Sequence, residues 1–177
     1  TRFGGVRTYL HEVVEEARAT GFTETIRGRR RYLPDLTSDN RQRREIAERV
    51  ALNSPIQGSA ADIIKDAMLG VQRELDAQGL TSRMLLQVHD ELVLEVAPGE
   101  LATVEELLRT QMAGAADLSV PLEVSVGQGQ TWHDAGRLLQ LLQHAAGRAG
   151  YESIAGDPDW TLPANLRLSA IALQDGR

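Results

Sequence analysis

The sequence predicts an α+β fold, with a small antiparallel sheet of about three strands and a short separate hairpin packed with helices. Apolar residues recur at helical spacing in residues 5–20, 41–79 and 98–114, which indicates amphipathic helices. Two apolar runs in residues 84–96 flank a polar insert, a pattern typical of a β-hairpin. Residues 120–126 alternate in polarity and complete the predicted sheet.

Composition narrows the class of protein before any motif is considered. The 177 residues include no cysteine, which excludes disulfides, thiolate chemistry and Cys-based zinc sites. No apolar run approaches the length that spans a bilayer, and no signal-peptide pattern opens the chain. We therefore expect a soluble intracellular protein. Because the chain starts at Thr1 and enters helical periodicity at once, we also expect a fragment of a longer protein.

Charge is distributed unevenly along the chain. Residues 1–53 contain eleven arginines and eight acidic residues, whereas residues 54–177 contain seven arginines, one lysine and seventeen acidic residues. The first third therefore has a net charge of +3, although the whole chain carries −6. A basic segment on an acidic chain is compatible with nucleic-acid contact through that segment.

The first predicted elements are a helix over residues 5–20, which Gly21 ends, and a small hairpin. Short β-like runs at residues 22–26 and 31–33 surround Gly28, and Pro34 closes the hairpin. Its tip carries four arginines, Arg27, Arg29, Arg30 and Arg31. Two interpretations stay open, a solvated turn or a contact with phosphate oxygens, whose geometry arginine forks match.

Two consecutive helices are expected next. Ser38, Asp39 or Asn40 caps the first, over residues 41–52. At the start of the second, Ser54 as N-cap, Pro55 at the first helical position and Gln57 form a capping box, and Gly79 ends the helix. This box gives Gln57 a purely structural explanation. Small residues at positions 58–61 would let another backbone or a ligand approach closely.

The hairpin of residues 84–96 carries an unusual turn. Its polar insert is His89, Asp90 and Glu91, without the Asn-Gly or Asp-Gly pair that tight hairpin turns prefer. Adjacent acids at the end of a rigid strand suit a hard divalent cation such as Mg²⁺, which takes oxygen ligands. A solvated tip whose acids have no function is the alternative on this stretch alone.

The last third is less regular. Pro98 and Gly99 open a helix that Gly114 ends, and the strand over residues 120–126 begins near Pro121, which favours an edge position. Residues 137–146 could form a short helix, whereas residues 147–177 show no clear period. We treat residues 137–177 as a C-terminal extension of unknown role.

Three segments taken together resemble the C-terminal part of the polymerase domain of family A DNA polymerases, the bacterial DNA polymerase I type. They are residues 28–35 (GRRRYLPD), 48–65 (ERVALNSPIQGSAADIIK) and 87–96 (QVHDELVLEV). Their order and spacing also match, and the resemblance covers about residues 1–136. Glu91 after His-Asp favours the DNA polymerases over the related single-subunit RNA polymerases, which usually carry serine there.

The resemblance implies template-directed nucleotidyl transfer, in which a primer 3′-hydroxyl attacks the α-phosphate of a dNTP with the help of two Mg²⁺ ions. By the same match, Asp90 is a metal ligand, Glu91 is an accessory acid near the metals, and His89 lies close to the primer terminus. These three are the expected catalytic residues. Primer–template DNA and dNTP are the implied partners, and a cytoplasmic, nucleoid-associated location in a bacterium is expected.

The resemblance also assigns DNA-binding residues. Arg49, Asn53 and Gln57 match residues that face the minor groove of the primer–template, which presents acceptors at similar places in every base pair. They recur at four-residue spacing and share one face if the helical path through Pro55 is nearly continuous. We therefore favour the groove role of Gln57 over the capping box. Arg29 and Arg30 of the Arg-rich hairpin are expected to contact DNA as well.

Parts of the family's active site have no counterpart among the matched segments. The family needs a second metal-binding aspartate on another strand and a lysine-bearing helix that grips the dNTP triphosphate. We therefore expect the 177-residue chain to be inactive by itself. In this interpretation residues 1–80 are the remainder of a fingers subdomain, and residues 81–136 are a palm hairpin, helix and terminal strand. A non-catalytic DNA-binding or interaction module with the same fold is the alternative.

Overall fold

A computed structural model describes residues 4–135 and 167–174 of the chain, and these residues form two compact units that divide between Ile63 and Ile64. Mixed helices and small sheets confirm the predicted α+β class. The elements, in chain order, are α1 (Gly4–Thr20), β1 (Phe22–Glu24), β2 (Arg30–Tyr32), a 3-10 helix (Pro34–Thr37), α2 (Arg41–Ala77), β3 (Arg83–Val88), β4 (Glu91–Val96), α3 (Leu101–Ala113), β5 (Glu123–Gly129) and β6 (Arg167–Gln174).

The first unit is built around a small apolar core. Helix α1 packs against β1 and the 3-10 helix, because its inward face carries Val14 and Ala17 at helical spacing. Gly21 ends α1 with φ of 84°, a backbone conformation that glycine adopts without steric cost. The antiparallel pair β1–β2 confirms the short hairpin predicted around Gly28. Five buried residues form the core: Ala17, Leu33, Leu36, Ala47 and Ala51.

Helix α2 differs from the two helices predicted for its sequence. Asn40 caps it, because the Asn40 side-chain oxygen accepts hydrogen bonds from the backbone N–H groups of Gln42 (2.9 Å) and Arg43 (3.3 Å). The helix then runs without interruption to Ala77, with Pro55 inside it. The capping box predicted at Ser54 was therefore wrong. The Ser54 hydroxyl is buried and has no hydrogen-bond partner within the described part of the chain.

The second unit contains a four-stranded sheet with the order β3–β4–β6–β5. Strands β3 and β4 form the predicted antiparallel hairpin. Strand β6 lies between β4 and β5 and is parallel to both, so the sheet is mixed and has one strand more than predicted. Strand β5 also runs three residues further than the predicted 120–126. Helix α3 packs on β5 and β6 and buries Val104, Leu107, Leu108 and Met112.

Strand β4 is more buried than β3 and β5. Leu92, Val93 and Leu94 follow one another and are each at most 1% exposed. Because successive strand residues point to opposite faces, both faces of β4 must be covered. Strand β3 is more exposed, and a β-bulge between Met84 and Leu86 shifts its register against β4. Within the residues that the structure describes, no helix is long and apolar enough to cross a membrane.

A carboxylate clasp joins the segment before β3 to the start of α3. The Glu100 carboxylate accepts hydrogen bonds from the backbone N–H groups of Thr81 and Ser82 (2.9 Å each) and from the Ser82 hydroxyl (2.5 Å). The Ser82 hydroxyl in turn accepts one from the backbone N–H of Ala97 (2.9 Å). The bond from the Ser82 hydroxyl, with those from the two backbone N–H groups, lowers the pKa of the Glu100 carboxyl from its ordinary 4.5.

We predict that Glu100→Ala lowers the free energy of unfolding at neutral pH, because it leaves the Ser82 hydroxyl and two backbone donors without their acceptor. Since the fold lowers the pKa of Glu100, its contribution is present above pH 4.5 and is lost as the pH falls below that value. Urea unfolding from pH 7 to pH 3 measures this. The control is Glu106→Ala, at an exposed position of α3. Equal losses in both variants at pH 7 would contradict the clasp.

Candidate functional site

Helix α2 carries an exposed polar row. Arg49, Asn53 and Gln57 are all exposed, and because α2 is continuous through Pro55, residues four apart lie on one face. The groove interpretation required a nearly continuous helical path through Pro55, and α2 has that path. Among the described residues, Arg49 donates one long hydrogen bond, from its Nε to the carbonyl of Glu45 (3.3 Å). The row thus presents a guanidinium and two amide groups to solvent.

The turn of the Arg-rich hairpin is fixed to α2 by a cluster around Asp62. Arg29 donates from its Nε to the Asp62 carboxylate (2.9 Å) and from Nη2 to the carbonyl of Gly58 (3.1 Å). The Thr25 hydroxyl donates to the other Asp62 oxygen (2.5 Å), and the backbone N–H of Ile26 donates to the Ser59 hydroxyl (3.0 Å). Arg29, predicted to contact DNA, thus has protein partners, although its side chain is half exposed.

Arg30, the second arginine predicted to bind DNA, is also engaged within the protein. Its Nε donates to the Glu24 carboxylate (2.6 Å), and its guanidinium lies 4.4 Å from the centroid of the Phe22 ring. The hydrogen bond to Glu24 raises the pKa of Arg30 above its ordinary value. Arg31 is exposed and is not in an ion pair with any residue that the structure describes.

A groove of about 70 Å³ lies beside Gln57. Thr23 and Ser54 line it, and their hydroxyl oxygens are buried with no hydrogen-bond partner among the residues described. Arg29, Arg31 and Gln57 contribute the donors at its rim. The groove therefore brings the exposed Arg31 next to the exposed row, whereas the two hydroxyl oxygens are closed to solvent. Its lining residues are Thr23, Glu24, Thr25, Arg29, Arg31, Ser54, Gln57 and Gly58.

The acidic turn lies in the second unit, at the tip of the β3–β4 hairpin. His89 and Asp90 form a two-residue turn between the paired residues Val88 and Glu91. His89 has φ of 54°, which is uncommon outside glycine and costs on the order of 1–3 kcal/mol. The carbonyl oxygen of His89 accepts a hydrogen bond from the Gln87 side chain. A strained histidine in place of glycine marks this turn as a candidate site.

The acids of this turn fit a divalent metal only in part. Asp90 is exposed, and Glu91 is half-buried at the first position of β4. Two carboxylates supply oxygen donors, which Mg²⁺ prefers, and Mg²⁺ is often held by one or two carboxylates plus substrate phosphates. Over residues 4–135 and 167–174, however, no group of three or more histidines and acids is placed to hold a metal. Asp90 and Glu91 therefore suit part of a metal site that needs further ligands.

Asp62, which fixes the Arg-rich hairpin to α2, is a residue that the sequence analysis missed. Its side chain is about 10% exposed, and it follows the small residues of positions 58–61 and precedes Ile63 and Ile64. An acidic residue beside buried apolar residues indicates a buried polar contact, because a buried carboxylate needs hydrogen-bond partners. Thr25 and Arg29 supply them here.

The three ordered segments that carry the resemblance to family A DNA polymerases lie on this α+β fold. A family model described as DNA polymerase family A matches residues 1–134, and the chain belongs to this family. This confirms the resemblance found in the sequence. The match ends before β6.

Individual relatives agree with the family assignment. The chain is 65% identical to a DNA polymerase I from Mycobacterium bovis over 134 residues, and 52% identical to one from Streptococcus pneumoniae. Each match covers 76% of this chain and 15% of the relative, so the chain spans about one seventh of the relatives' length. A solved structure, the POL domain of Pol1 from M. smegmatis in complex with DNA primer-template and dNTP, is also similar. It is 61% identical with a TM-score of 0.68, and the match covers 68% of this chain and 21% of that one.

We predict opposite effects for alanine at two glycines of α2. A Cβ on Gly58 would lie 2.6 Å from the Thr25 methyl carbon, which the bond to Asp62 holds in place. Gly58→Ala should lower the free energy of unfolding by about 1–3 kcal/mol. A Cβ on Gly70 would lie 2.7 Å from Oε1 of Gln111, at the flexible end of that side chain, which can move away. Gly70→Ala should therefore raise the free energy of unfolding by about 0.5–1 kcal/mol through helix propensity. Urea unfolding of both variants measures this, and a stabilising Gly58→Ala would refute close packing of the turn.

Proposed function

We propose that the chain is the primer–template-binding portion of a DNA-directed DNA polymerase and holds part of its metal site. The observation that carries the proposal is the exposed row of Arg49, Asn53 and Gln57 on an uninterrupted helix. Membership of DNA polymerase family A supports it, as does the similar M. smegmatis structure, a complex with primer-template DNA and dNTP.

The row suits the minor groove of a duplex. Base pairs present acceptors at similar positions in the minor groove regardless of sequence, so guanidinium and amide donors can test pairing geometry without reading the sequence. The row extends over two turns of α2, because eight residues separate Arg49 from Gln57 at about 1.5 Å of rise per residue. Arg31 lines the same groove as Gln57, and its exposed guanidinium suits a phosphate oxygen of the bound duplex.

The acidic turn is proposed to supply metal ligands. Asp90 and Glu91 would hold a divalent ion, Mg²⁺ in our proposal, together with ligands from outside the described residues. When bound, two such ions stabilise the attacking and leaving oxygens of a nucleotidyl transfer. The rigid strand β4 keeps Glu91 in place, while His89 sets the direction of the chain at the turn. We propose His89 as a neighbour of the primer terminus.

A non-catalytic DNA-binding module is the second candidate function. It is favoured by the finding that the described residues bring no third metal ligand to Asp90 and Glu91. In both proposals DNA binds the row on α2. They differ only in whether the acidic turn takes part in chemistry.

We predict that Arg49→Ala weakens binding of a primer–template duplex about tenfold, because a hydrogen bond from a charged group contributes about 1.5–3 kcal/mol. The matched control is Arg73→Ala. Arg73 is exposed on the same helix and donates to the carbonyl four residues before it (3.2 Å), as Arg49 does (3.3 Å). Fluorescence anisotropy at fixed ionic strength measures both affinities. Equal affinities of the two variants would contradict the groove row.

We predict that the 177-residue chain does not extend a primer, because Asp90 and Glu91 lack a third ligand in the described residues. In a longer polymerase chain that carries these residues, Asp90→Ala should abolish extension. The affinity for primer–template DNA should stay within about twofold, because an exposed carboxylate donates no hydrogen bond to DNA phosphates. Gel-resolved extension with Mg²⁺ and anisotropy measure the two effects. Templated incorporation by the chain alone, or loss of DNA binding in Asp90→Ala, would refute the proposed role of the turn.

A further inference from the structure

Strand β6 fills a gap in a sheet whose other strands belong to the family match. Strands β3, β4 and β5 lie within residues 1–134, which the family model matches, and β6 lies outside them. Among the described strands, β5 pairs only with β6, and β4 pairs with β3 on one side and with β6 on the other. Without β6, the described sheet would divide into a hairpin and a single strand.

The pairing of β6 is long and regular on both sides. On one side, six consecutive residues pair with β4, from Glu91↔Ser169 to Val96↔Gln174. On the other, seven pair with β5, from Glu123↔Arg167 to Gly129↔Leu173. Ala170, the pair of both Leu92 and Val126, is fully buried. The gap between β4 and β5 thus fits a parallel strand with a small side chain at this position.

We propose that the gap between β4 and β5 is a strand-binding site and that its occupant is residues 167–174 of the same chain. Unpaired strand edges are templates for an added strand, and backbone hydrogen bonds provide the affinity in such additions. Here two parallel edges face the same strand, so the site recognises an extended peptide of about six or seven residues on both sides. The proposal concerns the sheet and does not depend on DNA binding.

The occupant has a consequence for the acidic turn. The pair Glu91↔Ser169 fixes the first residue of β4, directly after Asp90. Strand β6 therefore supports the turn through the backbone. Its sequence, RLSAIALQ, contains no acidic residue, so it adds no carboxylate to Asp90 and Glu91. While residues 167–174 occupy the site, no other strand can pair between β4 and β5.

A disulfide test uses the absence of cysteine from the chain. Ser125 and Ser169 are register partners, and neighbouring strands lie about 4.8 Å apart, within the Cα separation that a disulfide spans. In the full chain, Ser125→Cys with Ser169→Cys should form an intramolecular disulfide on mild oxidation. The control pair, Ser119→Cys with Ser169→Cys, should remain reduced, because Ser119 precedes β5. Equal oxidation of both pairs, or a disulfide only between two molecules, would overturn the proposal.

Hydrogen exchange of the unmodified full chain gives an independent test. Amides of residues 168–173 should exchange at least about 100-fold more slowly than in a free peptide of the same sequence, as expected for a central strand. In Ala170→Asp, which buries a charge, both this segment and residues 123–129 should lose that protection, whereas Ala102→Asp, at an exposed position, should keep it. Peptide-like exchange of residues 168–173 in the unmodified chain would overturn the proposal whether or not the variant folds.

Discussion

Helix α2 continues through Pro55, and this continuity fixes the relative orientation of the side chains before and after the proline. Proline has no backbone N–H, so the carbonyl of Ala51 loses its helical partner, and an interior proline usually costs about 3 kcal/mol. The helix nevertheless continues, with Ala47 and Ala51 in the core of the first unit and Val71 and Leu75 buried in the second. Burial along both halves stabilises one unbroken helix, which keeps Arg49, Asn53 and Gln57 in phase.

The arginines near this helix form two groups, those paired with carboxylates of the protein and those exposed to solvent. Arg29 and Arg30 stabilise the hairpin through Asp62 and Glu24. Within the described part of the chain, Arg49 makes one long hydrogen bond to a carbonyl, and Arg31 is exposed and lines the groove. Ion pairs of half-exposed side chains contribute little to stability, but the several bonds to nearly buried Asp62 fix the position of the turn. Because the turn beside Gln57 is already fixed, less conformational entropy is lost there when DNA binds.

The sequence predicted local features well and long-range pairing poorly. Apolar residues recur with a clear period in the sequences of α1, α3 and the β3–β4 hairpin. The family motifs supplied the candidate residues of the row and of the acidic turn. The Ser-Pro-x-Gln pattern at Ser54 is a sound start signal, but tertiary burial on both sides of Pro55 overrides it. Strand β6 was missed because a central parallel strand lacks polar alternation and because its partners lie more than 35 residues away. The predicted helix over residues 137–146 lies outside the described residues.

An NMR titration that observes the row itself tests whether an unbroken α2 presents one DNA-binding face. The side chains of Arg49, Asn53 and Gln57 all carry N–H groups that ¹⁵N NMR resolves. On addition of a primer–template duplex, these three signals should shift together with one dissociation constant, while the side-chain Nε–H of Arg73 stays in place. Chemical-shift changes that leave these three signals unmoved, or that move the Arg73 signal equally, would contradict a DNA-binding face at this row.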